Sequence, residues 1–336
     1  MPWLSKLQTE LMKFITLFLK LLLLLGVVLW ISQTINFHDV ETTLLKTNKA
    51  LFIIAFLANN LSTIFFTIKW QRLASPLRVK SNFTELLKLN YISIFYSSFL
   101  PGQFSGELIK GIKLAKKENA MQKVWVPIFI DKITNLLMIF IIGAIAILLD
   151  QNFRENKSLI FLILFFTILF ALITILLFSE TTQELSKIVI RTIMDLLRKF
   201  GARNDILKDI SVNYIEQYKK HKYLLAESLL WSMFTKLPHV FSFYFLSESL
   251  SLNLNLLQCA WLFSVVSIIT LIPISFSGLG IREGALIVIF SKLGIEKYNA
   301  LSFSLLIFIL GLLIAFIGGL LEVFSHETNK NKHKSH

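Results

Sequence analysis

Residues 100–111 read LPGQFSGELIKG, and residues 272–284 read IPISFSGLGIREG. Laid over each other, the two stretches share Pro-x-x-Phe-Ser-Gly-x-x-Ile-[Lys/Arg]. The first copy is Pro101, Phe104, Ser105, Gly106, Ile109 and Lys110; the second is Pro273, Phe276, Ser277, Gly278, Ile281 and Arg282. Each copy interrupts a strongly apolar segment. Proline withholds a backbone donor and glycine frees φ, so each copy ends one helix and starts another. A basic residue follows the Gly four positions on. The pair is an internal repeat, and the rest of the chain holds its two turns opposite each other.

The surroundings of both copies are membrane-like. The 336 residues are 55% hydrophobic and 16% charged, with a mean hydropathy of +0.67. A soluble domain is roughly half apolar and a quarter charged. Long apolar runs recur at 15–35, 50–68, 124–149, 158–178, 223–246 and 301–323, each close to the ~20 residues that cross a bilayer. Two shorter apolar arms, 86–100 and 256–271, run into the repeated turns. The return arms are shorter still: an amphipathic piece with Lys110, Lys113, Lys116 and Lys117, and the apolar residues 285–290. This predicts an all-α polytopic membrane protein with about six full spans plus two Pro/Gly-broken re-entrant hairpins. The alternative makes each hairpin two short spans, giving more crossings with the same parity, or eight spans. Residues 1–324 form one transmembrane domain. Within it, 36–49 is a polar loop and 179–222 a cytoplasmic amphipathic region; 325–336 is a disordered tail. The 31 Phe residues read as lipid-facing bulk.

The net charge of +13 sits mainly between the apolar runs. With a cytoplasmic N-terminus and two hairpins, 23 Lys and Arg fall on the cytoplasmic side and six outside, as the positive-inside rule requires. Three spans separate the hairpins, so the first inserts from the cytoplasm and the second from outside. That is an inverted repeat, the architecture of many transporters. The basic charge is accounted for by topology and anionic lipid, and nucleic acid is not expected as a partner. Cys259 is the only cysteine, which excludes an intramolecular disulfide and a Cys metal cluster; it reads as packing. No metal-ligand cluster, P-loop or nucleophile–base motif stands out, so no cofactor and no metal are expected.

A helix that starts at a Gly inside the membrane offers free N–H groups and partial positive charge to an anion. Lys110 and Arg282 lie about one turn in, and their side chains lean back toward that start. Ser105 and Ser277 add hydroxyls beside Gly106, Gly278 and Gly280. The bland reading is a tight turn with Lys110 snorkelling; two copies with matching basic residues favour a cationic binding pocket. Glu107, Asp131 and Glu283 are acids in the same layer. Asp131 reads first as half of a structural ion pair and second as a proton carrier. Lys132 either joins the pocket or faces another wall. Lys236 and His239 flank a kink at Pro238, with His239 a satisfied polar residue. Asn59 and Asn60 read as helix–helix contacts, and Lys69-Trp70-Gln71-Arg72 as an interface anchor.

At PGQFSGELIK (101–110) and PISFSGLGIRE (273–283) the chain resembles the transmembrane region of lysylphosphatidylglycerol synthase, the flippase-like domain family. The family pattern is a Pro followed by Gly-Gly-[Asp/Glu]-x-x-Arg in the first half, and Pro-x-x-x-Gly-Gly-Leu-Gly-x-Arg-Glu in the second. The Lys69-Trp70 and Asp131-Lys132 positions fit as well. Ser105 and Ser277 stand where Gly is usual, and Lys110 and Lys132 where Arg is usual. Lysine does not grip phosphate in two places as arginine does. Larger members carry an aminoacyl-transferase domain after the membrane region, and none follows the last span in these residues. The resemblance therefore implies a stand-alone, non-enzymatic lipid translocase in the plasma (inner) membrane, multi-pass, with both termini cytoplasmic. Its substrate is an anionic or aminoacylated phospholipid, or a polyprenyl-phosphate headgroup. A lipid-modifying enzyme using Glu107 or Asp131 as general base, or a non-transporting lipid-binding subunit, are the alternatives. Membrane lipids are the expected partners, with a second copy or a lipid-synthesis enzyme left open.

Overall fold

The computed structural model describes residue 33 and residues 35–99, 105–118, 122–153, 157–178, 222–271, 278 and 280–334. Nearly all of the span expected at 15–35 and of the 179–222 region, with Pro101, Phe104, Pro273, Phe276 and Ser277, lie outside the described residues. The described elements are helical: α1 (Phe37–Leu45), α2 (Lys49–Ala74), α3 (Phe83–Phe99), α4 (Ser105–Glu118), α5 (Gln122–Leu149), α6 (Lys157–Phe178), α7 (Lys222–Ser249), α8 (Leu256–Thr270), α9 (Ile281–Lys292) and α10 (Lys297–Lys334). Among them, α2, α5 and α10 are long and apolar enough to cross a membrane by length and composition. The four arms around the repeated turns, α3, α4, α8 and α9, have 17, 14, 15 and 12 residues, each short of the ~20 that span.

Two expectations need correction. The stretch 36–49 is not simply a loop, because α1 lies in it. Asn36 Oδ1 caps that helix by accepting from His38 N–H at 3.1 Å, and Val40 is buried in the main core. Its single apolar face was too short to show against a polar background. At the other end, α10 continues through Lys334, past Ser325 where a tail was expected. Nothing breaks it: no Gly or Pro stands between Gly319 and Lys334.

Asparagines set the starts of two spans. Asn48 accepts from Ala50 and Leu51 N–H to open α2, and Asn255 and Gln258 exchange bonds in a capping box that opens α8. Pro76 stops α2 through a short 3₁₀ turn, Ser75–Leu77, and Arg78 then takes a left-handed φ of 52°.

The packing has a two-fold pattern. α2 pairs with α7; α3 packs on α10, and α8 on α5; α2 meets α3 as α7 meets α8; α4 meets α5 as α9 meets α10. Exchanging α2–α5 for α7–α10 maps these contacts onto each other. The central pair runs antiparallel. Asn48 N–H donates to Ser249 O at 3.0 Å, Asn59 Nδ2 to Ser242 Oγ at 2.6 Å and Ser62 Oγ to Thr235 O at 2.7 Å, and Arg72 lies 3.5 Å from Glu227. Position rises in α2 as it falls in α7, which is the relation an inverted repeat demands. Even the acids match. Glu322 near the end of the apolar part of α10 accepts from Tyr96 of α3 at 3.0 Å, and Asp150 at the end of α5 accepts from Trp261 of α8 at 3.0 Å. The pattern departs in one place: α5 also packs on α7.

Both arm pairs fold back on themselves. In the first, Gly106 N–H donates to Ser97 Oγ at 3.2 Å, Lys110 Nζ to Asn90 Oδ1 at 3.0 Å, and Lys117 pairs with Glu85. The arms touch so closely that a Cβ on Gly106 would sit 1.8 Å from Ser93 O. In the second, a Cβ on Gly278 would meet Thr270 Cγ2 at 2.7 Å. The return helices do not begin at matching positions. Gly278 and Gly280 take φ of 80° and 87°, a region that L side chains avoid, and α9 starts only at Ile281. Leu108 stands where the second copy has Gly280, its backbone stays helical, and α4 starts at Ser105.

Candidate functional site

Lys110 is in the second turn of α4 and wholly buried. Its Nζ lies 3.2 Å from Glu107 Oε2, a pair one helical turn apart, and 3.0 Å from Asn90 Oδ1. Asn90 in turn donates to Thr67 Oγ1 at 2.8 Å. The ammonium also sits over two aromatic faces, 4.7 Å from the Phe66 centroid and 5.1 Å from that of Trp70; such contacts stabilise a desolvated cation by about 2 kcal/mol. Glu107 Oε1 is 3.4 Å from Lys132 Nζ. Lys110 and Lys132 therefore share one carboxylate.

Beside this lies a second pair. Lys69 is 0% exposed; its Nζ is 2.7 Å from Asp131 Oδ1 and donates to Thr134 Oγ1 at 3.0 Å and to Asp131 O at 3.4 Å. Asn135 Nδ2 donates to the same Asp131 Oδ1 at 2.9 Å. The extra contact of α5 with α7 extends the network, through Thr134 to Ser228 at 3.0 Å and Thr235 to Asn135 at 3.5 Å. Lys236 on α7 lies within the field of Lys69, Asp131, Lys132 and Glu107. Three lysines and two carboxylates, joined by ion pairs, thus gather where α2, α4 and α5 meet, with Asn90 of α3 beside them. Around them, Trp70 Nε1 and Asp131 Oδ2 are buried without a hydrogen-bond partner among the described residues. Glu107 Oε2 is within ion-pair range of Lys110, yet off the hydrogen-bond direction.

The second hairpin is organised differently. Arg282 pairs with its neighbour Glu283 at 2.8 Å and donates through Nε to Ser304 Oγ at 2.7 Å. Ser304 Oγ donates to Glu283 Oε1 at 2.7 Å, and Glu283 Oε2 accepts from Gly280 N–H at 2.5 Å. The acid that caps α9 also neutralises the arginine. Arg282 stacks 5.9 Å from the Phe308 ring. The Arg282 network and the Lys110 network share no residue.

Glu107, Lys110, Asp131 and Lys132 are therefore brought together, with Gly106 beneath them closing α4 on α3. Ser105 turns to Tyr96 O at 3.4 Å. Gly278, Gly280, Arg282 and Glu283 form the second group, and Ser277 lies outside the described residues. Asp131 is an ion-pair partner, as expected, but of Lys69. Lys69 is not an interface anchor: with Trp70 it is sealed inside the protein. Lys236 was noticed only for its proline. His239 is satisfied as expected, at 2.7 Å from Asn59 and 2.8 Å from Ser62, and Asn60 accepts from Tyr91 at 2.8 Å, so both asparagines join helices. Cys259 is packed and fully buried. The Phe residues divide: Phe161, Phe165 and Phe316 face outward, while Phe290 and Phe303 are core.

A helical membrane domain with apolar helices and buried ion pairs among the described residues defines the class. Residues 17–319 match the family described as Lysylphosphatidylglycerol synthase TM region, and the chain belongs to that family. It is similar to UPF0104 membrane protein PH1989 of Pyrococcus horikoshii, 22% identical over 307 residues, covering 85% of this chain and 90% of that one. UPF0104 membrane protein MJ1595 of Methanocaldococcus jannaschii is 22% identical over 324 residues, 91% of this chain and 94% of that one. MJ1078 of the same organism is 26% identical over 215 residues, 63% and 86% respectively. No solved structure matches the chain.

Proposed function

We propose that the protein is an integral-membrane lipid translocase. The headgroup crosses along the polar seam between the hairpins, while the acyl chains stay in the bilayer. The observation that carries this reading is the cluster of Lys69, Lys110 and Lys132 on Glu107 and Asp131, with Lys69 and Lys110 fully buried. Charges at membrane depth are costly, ~2.5–3.5 kcal/mol each on insertion scales, and are kept where they serve a polar pathway. The substrate is a phospholipid, anionic or aminoacylated, or a polyprenyl-phosphate, and the protein makes or breaks no covalent bond in it: both carboxylates that could act as bases are held by lysines. The hairpins are re-entrant, the first from the cytoplasm and the second from outside. Both termini are cytoplasmic, in the plasma (inner) membrane. Lys69 and Lys110 leave the count of cytoplasmic charges because they are buried, and the remaining asymmetry still favours this orientation.

Proteoliposomes containing fluorescent lipids of different headgroups test the reading. Lys110→Ala and Arg282→Ala are expected to slow translocation while Lys110→Arg preserves it. A well-folded Lys110→Ala/Arg282→Ala protein that translocates at the normal rate removes the hairpins from the mechanism.

A further inference from the structure

The last two turns of α7 and the link to α8 border an open cavity of about 580 Å³, within the ~300–1,000 Å³ of sites that take small molecules. Phe241, Tyr244, Phe245 and Glu248 line it from α7, at i, i+3, i+4 and i+7 of one helical face. The Tyr244 and Phe245 rings stand 5.7 Å apart with their planes inclined at 63°, so they make two walls. The link closes the far side with Asn253, Leu254 and Asn255, and α8 adds Leu256. Its path is fixed. Ser251 and Leu252 N–H groups donate to Glu248 O and Ser247 O at 3.0 Å, Leu252 and Leu254 are buried in the main core, and Ser251 and Asn253 take left-handed φ of 56° and 55°. The cavity shares no residue with the Lys110 or Arg282 networks.

Its chemistry is that of a cation site. Glu248 is half-buried, and its carboxylate makes no ion pair or hydrogen bond among the described residues. Aromatic faces attract a cation through the ring quadrupole, and a carboxylate between the same walls adds a full opposite charge. Asn255 Oδ1 already accepts from Gln258 N–H at 2.8 Å, which leaves the amide NH₂ of Asn255 as a donor; a phosphate oxygen suits it. Position names the carrier. The apolar run 223–246 ends within this stretch, so the cavity lies at the boundary where headgroups sit. Phe241, about 10 Å further along α7 from Glu248, and Leu256 are 42% and 43% exposed and offer apolar surface to acyl chains.

We propose that this cavity binds a zwitterionic phospholipid with a primary ammonium headgroup, of the phosphatidylethanolamine type. The ammonium lies between the Tyr244 and Phe245 walls and donates to Glu248, the phosphate accepts from the Asn255 amide, and the acyl chains pass Phe241 and Leu256. The site is independent of the translocase reading; in the orientation proposed above it serves the outer leaflet.

Native mass spectrometry of the full chain in neutral detergent tests this with two lipids that differ at the ammonium, dioctanoyl phosphatidylethanolamine and its N-acetyl derivative. The ethanolamine lipid is expected to bind about tenfold tighter, the scale of one charge-assisted contact, and Glu248→Gln to erase that difference. Because the Glu248 carboxylate holds no partner, the variant is expected to keep the size-exclusion profile of the parent. Tyr244→Leu is expected to weaken the ethanolamine lipid severalfold, and Tyr244→Phe to retain it. Absence of the preference in the parent protein overturns the proposal without any variant. The same preference in folded Glu248→Gln overturns it too, as does unchanged binding by Tyr244→Leu. Phosphoethanolamine binding as tightly as the dioctanoyl lipid overturns the assignment to a lipid and makes this a site for a soluble amine.

Discussion

The Lys69–Asp131 pair yields the most demanding prediction, because two opposed effects decide it. Breaking a buried pair from one side costs about 3–5 kcal/mol. Which side costs more depends on what is left. Lys69→Met leaves Asp131 with one donor, Asn135 at 2.9 Å, and an Oδ2 that already lacks a partner. Asp131→Asn leaves the ammonium with Thr134 Oγ1 at 3.0 Å and the residue-131 carbonyl at 3.4 Å. By hydrogen bonds alone, the methionine variant is worse, by about 1 kcal/mol for one more lost contact. Charge runs the other way. Removing Lys69 relieves Lys132 of a like charge, while neutralising Asp131 leaves Lys69 facing Lys132 without its carboxylate. Each uncompensated like charge ~8 Å away is worth about 2 kcal/mol at a dielectric of ~20, and Lys69 feels more than one. Electrostatics wins, so Asp131→Asn is expected to destabilise more than Lys69→Met. The double variant Lys69→Met/Asp131→Leu is expected to recover most of the loss, since both charges go together. Reversible unfolding of the purified protein in mixed micelles with rising denaturing detergent measures all three. The reasoning is refuted if Lys69→Met is the less stable single variant, or if the double variant simply adds the two losses.

Two further expectations concern packing and topology. Gly106→Ala places a methyl 1.8 Å from Ser93 O, so the arms of the first hairpin must part, and folded yield is expected to collapse on fluorescence-detected size exclusion. Gly311→Ala, with nothing within 4 Å of the added carbon, is expected to behave as the parent; similar yields for both would show that the arms are not in contact. On a Cys259→Ser background, a cysteine at position 203 is expected to react with a membrane-impermeant maleimide only after the cytoplasmic side is opened, and one at position 152 in intact cells. Labelling of position 203 from outside would reverse the orientation.

The long helices were legible because they announce themselves by length and apolarity, and three of the described ones are long and apolar enough to cross a membrane. Those expected at 50–68, 124–149, 158–178, 223–246 and 301–323 lie within α2, α5, α6, α7 and α10, or differ from them by a few end residues. The repeated motif likewise pointed to Glu107, Lys110, Arg282 and Glu283. Partnership was not legible. Lys69 sits 62 positions from Asp131, and nothing local distinguishes a lysine that anchors at an interface from one that turns inward to meet an acid two helices away. The motif also overstated the likeness of its halves. A single exchange, Leu108 for Gly280, lets the first return helix begin earlier and puts the two basic residues at different depths within their helices.

The antiparallel self-pairing of α2 with α7 bears on how such a chain arises. When equivalent helices pair across a two-fold axis lying in the membrane plane, each half alone is competent to meet a copy of itself only if that copy inserts upside down. An unfused half must therefore enter the bilayer in both orientations, which demands nearly balanced Lys and Arg on its two sides. Fusion lifts that demand. In the proposed orientation, and with buried Lys69 and Lys110 set aside, the joined chain carries 21 basic residues on one face against six on the other, and its halves are free to diverge. One has gathered several lysines around Glu107 and Asp131, and the other has closed its arginine against Glu283.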